Sequence, residues 1–125
     1  GHYLRTDESA ARQAYVELRR HLLESLREIR ALNHSELPDE LWRERLNWLD
    51  ERAAKFDAEF RRRLFESIRN QKLDGLQSSS LMNDLAYASR IIQSLRNALL
   101  LGEGHELTRQ LRQLAEDEGP VILQL

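Results

Sequence analysis

"LWRERLNWLDERAAKFDAEFRRRLFESI", residues 41–68, decides the fold class. Trp42, Leu46, Leu49, Ala53, Phe56, Phe60, Leu64 and Ile68 recur at spacings of three and four. At 3.6 residues per turn that pattern puts one apolar stripe along one side of a helix. No glycine or proline interrupts it. The nearly heptad pattern predicts a helix over 38–72, roughly 50 Å long at 1.5 Å per residue. A single stripe of this kind must be buried against other elements.

The flanking sequence supplies them. Over 7–33, Ala11, Tyr15, Leu18, Leu22, Leu26, Ile29 and Leu32 trace one face, with Arg20 and Glu24 expected to pair across one turn of the polar face. Over 79–101, Leu81, Leu85, Ala88, Ile92, Leu95 and Leu99 do the same. Met82, Ile91 and Leu100 widen that last stripe, so the third helix is expected to be the most buried. The breaks between helices have their own chemistry. In "NHSELPDEL" (33–41), Ser35 is the expected N-cap and Pro38 suits the first helical turn. In "KLDGLQ" (72–77), Gly75 suits the left-handed position after a helix end. A serine of the run Ser78, Ser79, Ser80 then caps the third helix, with Asp84 answering the helix dipole.

"GEGH" (102–105) separates a short fourth helix over 106–117, carrying Leu107, Leu111 and Leu114, and Pro120 stops it. Val121, Ile122, Leu123 and Leu125 form an apolar tail over 119–125 that folds back on the bundle or reaches a second copy. Short loops between long amphipathic helices favour antiparallel neighbours. The expected fold is therefore all-α: one domain over 1–125, an antiparallel three-helix bundle of long helices plus a short C-terminal helix.

Composition agrees with this size and class. A chain of 125 residues, 41% apolar and 32% charged, suits one compact helical domain. Its net charge of −2 makes it a poor electrostatic match for nucleic acid, and it offers no aromatic platform for single strands. Without cysteine there is no disulfide, thiol catalysis or zinc ribbon, which fits a reducing compartment. No apolar run is long enough to cross a membrane. Gly1-His2 has the form of a tag remnant, which leaves open a longer parent protein.

Catalytic signatures are missing. No nucleophile elbow, phosphate loop or dinucleotide fingerprint occurs, and the four histidines (His2, His21, His34, His105) are scattered. None follows a glutamate by three residues, as a di-iron bundle requires. His21 has Glu17 one turn back, which reads as a surface contact. The expectation is a protein that is not an enzyme.

Binding candidates remain. Glu40 and Glu44, one turn apart, can offer oxygen ligands to a divalent or iron-type cation, although acidic residues are normal in a first turn. Asp50, Glu51 and Asp57 read as surface residues. Arg61 and Arg62, in "RRR" at 61–63, are anion candidates, as are Ser78, Ser79 and Ser80 at a helix start with free N–H groups. Trp48 falls off the main stripe and, with Val121, Ile122, Leu123 and Leu125, is an interaction candidate. Asn83 and Asp84 sit together where helix interiors disfavour both side chains.

Residues 64–95, "LFESIRNQKLDGLQSSSLMNDLAYASRIIQSL", resemble the last two helices of a PhoU-like domain, as found after the membrane part of bacterial sodium/phosphate cotransporter-family proteins. The Ser-Ser-Leu-Met-Asn-Asp block at 79–84, with Tyr87 three residues on, carries the resemblance. It implies a three-helix bundle on the cytoplasmic side of the inner membrane that regulates phosphate transport, with the parent's membrane domain or a second copy as partner. Some such domains hold metal ions through acidic motifs ending in Asp. Here Ser80 occupies the position four before Asp84, and Asn83 and Asp84 are the polar positions that match. The alternatives are a self-contained cytoplasmic helical interaction or dimerisation module, with a homodimer as its assembly, and a metal-binding carboxylate bundle.

Overall fold

The computed structural model describes residues 2–102 and 113–114, with side chains from residue 9 onward. The described residues form three long α-helices: α1 (His2–Asn33), α2 (Asp39–Arg69) and α3 (Gly75–Leu100). Cross-helix pairs fix their directions. Glu28 reaches Arg45, Glu24 reaches Arg52 and Glu17 reaches Arg63, so α2 runs antiparallel to α1. Asp50 meets Arg96 and Asp57 meets Ser89, so α3 is antiparallel to α2. Both α1 and α3 being antiparallel to α2, they run parallel to each other, and Tyr15 meets Ser80 between them. The result is an up-down-up bundle.

The apolar stripes face inward. Leu18, Leu22, Ile29 and Leu32 of α1, Leu46, Phe60 and Leu64 of α2, and Leu81, Leu85, Ile92, Leu95 and Leu99 of α3 form one buried core. Tyr15, Trp42, Leu49 and Phe56 pack partly buried around it. α3 contributes nine buried residues and α2 three, so α3 is the more enclosed of the two. Two stripe residues depart from expectation: Ile68, in the last turn of α2, and Leu100, in the last turn of α3, are both exposed.

The helix boundaries correct the sequence reading in several places. α1 begins at His2 rather than 7, and α2 ends at Arg69 rather than 72. Gln71, not Gly75, takes the left-handed conformation after α2, with φ of 58°. The Gln71 N–H donates to Ile68 O at 3.0 Å and the Lys72 N–H to Ser67 O at 2.8 Å. Those two bonds are the paired closure of a Schellman motif. Gly75 is instead the first residue of α3, four positions before the expected start.

Asp74 caps α3: its carboxylate accepts from the Gln77 N–H at 2.7 Å, and the Gln77 side chain accepts from the Asp74 N–H at 3.1 Å. This reciprocal pair satisfies two N-terminal donors at once. Ser78 is buried one turn further in, its hydroxyl donating to Asp74 O at 2.7 Å. Ser35 likewise does not cap α2. Its hydroxyl donates backward to Leu32 O at 2.8 Å, and the Trp42 indole N–H reaches the same carbonyl at 3.3 Å. Pro38 takes the N-cap position of α2, its carbonyl accepting from the Trp42 N–H at 2.9 Å. The α1–α2 turn is thus tied to the exposed carbonyls that end α1.

The expected fourth helix over 106–117 and the tail with Val121, Ile122, Leu123 and Leu125 lie outside the described residues, apart from helical Gln113 and Leu114. Leu114 packs on the core. Among the described residues, no helix is long and apolar enough to cross a membrane.

Candidate functional site

The fold separates the residues that the sequence placed together. Asn83 is exposed, whereas Asp84, one residue on, turns toward α1. Tyr15 hydrogen-bonds the Asp84 carboxylate and lies 2.8 Å from the Ser80 hydroxyl. The Tyr15 hydroxyl of α1 is thus shared between Ser80 and Asp84, one turn apart on α3. Burial raises the Asp84 pKa above its ordinary value, and the bond from Tyr15 opposes that rise. This sharing ties α1 to α3 and uses the polar groups that a ligand would need.

The other candidates are placed as follows. Ser78, Ser79 and Ser80 lie within α3 rather than at its start, and of the first-turn N–H groups the Gln77 donor is already taken by Asp74, which leaves those of residues 75 and 76. Arg61 is held by Asp57 at 2.8 Å and Arg62 by Glu66 at 2.7 Å, so neither stands as an open anion site. Glu40 and Glu44 are exposed, and among the described residues no group of three or more His, Asp or Glu side chains is placed to hold a metal ion. Asp50 and Asp57, read as surface residues, are half-buried and join α2 to α3 through Arg96 and Ser89.

The arrangement that the fold does assemble is the α1–α2 seam. Glu17, His21, Glu24 and Glu28 follow one another at spacings of four, three and four on α1. Opposite them, α2 presents Arg45, Trp48, Arg52, Phe56 and Arg63. Arg52 forks between Glu24 at 2.7 Å and Glu28 at 2.6 Å. Arg63 reaches Glu17 at 2.6 Å. Glu24 therefore does not serve Arg20, as the one-turn spacing predicted. Arg45 and Arg52 lie over the Trp48 ring, at 4.2 and 5.3 Å from its centroid. Trp48 is thus an exposed ring between two cations, a favourable cation–π geometry.

His21 sits at the centre of the seam and is only 8% exposed. Its ring stacks on Phe56, with centroids 3.8 Å apart and planes 8° from parallel, and Phe56 in turn packs on Phe60. Burial, with a smaller push from the Arg52 charge, lowers its pKa from 6.5 to about 4, against the opposing carboxylates of Glu24 and Asp57. The ring is therefore neutral at pH 7, with one N–H donor and one lone pair. Among the described residues none hydrogen-bonds it. It lines a groove of about 430 Å³ whose rim includes Arg20, Lys55, Glu59 and Arg63.

Sequence reasoning set His21 aside as a surface residue next to Glu17. The available signal was its position three residues after Leu18 and one before Leu22, at the edge of the apolar stripe. Comparison with family models, with curated proteins and with solved structures finds no match for this chain.

Proposed function

We propose that the chain is a non-catalytic helical interaction domain that works by engaging a protein partner at the ends of its bundle. The observation that carries this reading is where the bundle leaves large apolar side chains unburied. Phe65 is 57% exposed, Leu76 82% and Ile68 40%, all at the end where α2 passes to α3. Leu37, Leu41, Leu100 and Leu101 are exposed at the opposite end. Apolar side chains gathered in this way mark contact surfaces. Burying Phe65 and Leu76 against a partner would contribute about 1.5–3 kcal/mol each.

A second copy of the chain is the first partner to test. Sedimentation of the chain should give a mass above 14.7 kDa that falls to 14.7 kDa in a Phe65→Glu/Leu76→Glu variant of unchanged helicity. A wild-type chain that stays at 14.7 kDa across the concentration range sinks self-association.

A second reading rests on the resemblance of residues 64–95 to PhoU-like domains, and a bundle of three long helices is what supports it. The chain would then be a regulatory domain on the cytoplasmic side of a sodium/phosphate cotransporter-type protein, with the membrane domain as partner. Immunoblotting of membrane and soluble fractions from the source cells tests this directly. A membrane band far larger than 14.7 kDa supports it, and a soluble band at 14.7 kDa ends it. In that setting Asn83→Ala/Asp84→Ala should alter phosphate uptake without unfolding the bundle.

A further inference from the structure

We propose that the α1–α2 groove binds a small organic anion, its phosphate or carboxylate oxygens held by Arg20, Lys55 and the ring N–H of His21. Three observations lead there. The first is His21 itself, a polar ring more than nine-tenths buried that lines the groove and takes no hydrogen bond from the described residues. Its ring nitrogens are not fully enclosed, so the N–H opens onto the groove, where a ligand oxygen can serve as its acceptor in place of solvent.

The second is the charge left over on the groove lining. Arg63 is neutralised by Glu17, and Arg52 by Glu24 and Glu28. Among the described residues, Arg20 and Lys55 have no ion-pair partner, and they face one unpaired carboxylate, Glu59. Two free cations against one free anion favour a negatively charged guest. A metal cation is disfavoured, because the two nearest carboxylates on α1 are already committed to arginines.

The third is the stacked His21–Phe56 pair, which gives the groove an aromatic wall. An aromatic or apolar body can lie there while its oxygens reach the cations. Pockets that combine an apolar wall with a few convergent polar groups are the usual form of small-molecule sites. The low basicity of His21 keeps its ring a neutral donor until an anion arrives. The same anion would then make protonation easier.

The test is an NMR titration of the His21 ring at pH 7 with inorganic phosphate and, separately, with phenyl phosphate. The expected result is a saturable shift at His21 with a Kd of roughly 1 mM or tighter. Arg20→Ala/Lys55→Ala should weaken it at least about tenfold, Lys55→Arg should retain it, and Glu59→Gln should tighten it a few-fold. All three positions are exposed, so these variants keep the fold. Tighter binding of phenyl phosphate identifies an aromatic body as part of the ligand, and equal binding identifies the oxyanion alone. No shift at His21 with either probe at concentrations on the order of 50 mM, where such a Kd would saturate the site, overturns the proposal. So does a shift that the double variant leaves unchanged.

Discussion

Acidification from pH 7.5 to 5 should weaken the folded state by about 2 kcal/mol through His21 alone. The ring is pressed against Phe56 with its pKa lowered from 6.5 to about 4. A group whose folded pKa is depressed takes up protons more readily in the unfolded chain as the pH falls. Its stability contribution is therefore full above 6.5 and is lost as the pH drops toward 4. At pH 5 the unfolded ring is almost wholly protonated, while only about a tenth of the folded rings are. The ratio of binding polynomials is then roughly 30, or about 2 kcal/mol, and the full loss below pH 4 is about 3 kcal/mol. The ring nitrogens open onto the groove, where solvent screens the charge, so about 2 and 3 kcal/mol are upper bounds.

Urea denaturation of the wild type and of His21→Gln at both pH values measures the effect. The wild-type midpoint should fall by about 1 M more than that of the variant, for a slope near 2 kcal/mol per M. Asp84 titrates with the opposite sign: its raised folded pKa means stability is regained on acidification, and that contribution is common to both proteins. Parallel loss in the two proteins would refute the reasoning, because it would mean that the ring does not sit neutral in the folded state.

Three further outcomes follow from the capping and packing. Gln71→Gly should raise stability by about 0.5–1 kcal/mol in chemical denaturation, because the left-handed backbone there strains a side chain that glycine lacks. Asp74→Ala should lower it by about 0.5–2 kcal/mol while Ser79→Ala changes it by less than about 0.5, which distinguishes the true cap of α3 from the serine run. Leu85→Ala, at a site with no exposed surface, should cost about 2–5 kcal/mol of unfolding free energy, and Leu76→Ala, largely exposed, should be close to neutral.

The three helices and most of the core were legible in the sequence because helical periodicity is local. Leu18, Leu22, Leu81, Leu85 and Leu95 repeat every three or four residues, and burial of an unbroken stripe requires no knowledge of its partner. Boundaries were less legible where two residues compete for one role. "DGLQ" at 74–77 has the same capping-box form that a serine would need, and Asp74 with Gln77 satisfies two donors where a lone serine satisfies one. Gln71 carries no local sign of its left-handed backbone. Its conformation is set by the closure of α2 onto the turn that launches α3.

What the sequence determined by itself was the helical class, the order of the three stripes and the faces they bury. What the tertiary structure alone decided was which polar side chains meet. Tyr15 with Ser80, Arg52 with Glu24 and Glu28, Asp57 with Ser89, and His21 with Phe56 are brought together from 24 to 65 residues apart, or 35 for the stacked rings. Those meetings depend on the rotation of each helix about its axis and on the axial register between helices. Both are fixed by how whole stripes interdigitate in the core, so no single spacing in the chain encodes them.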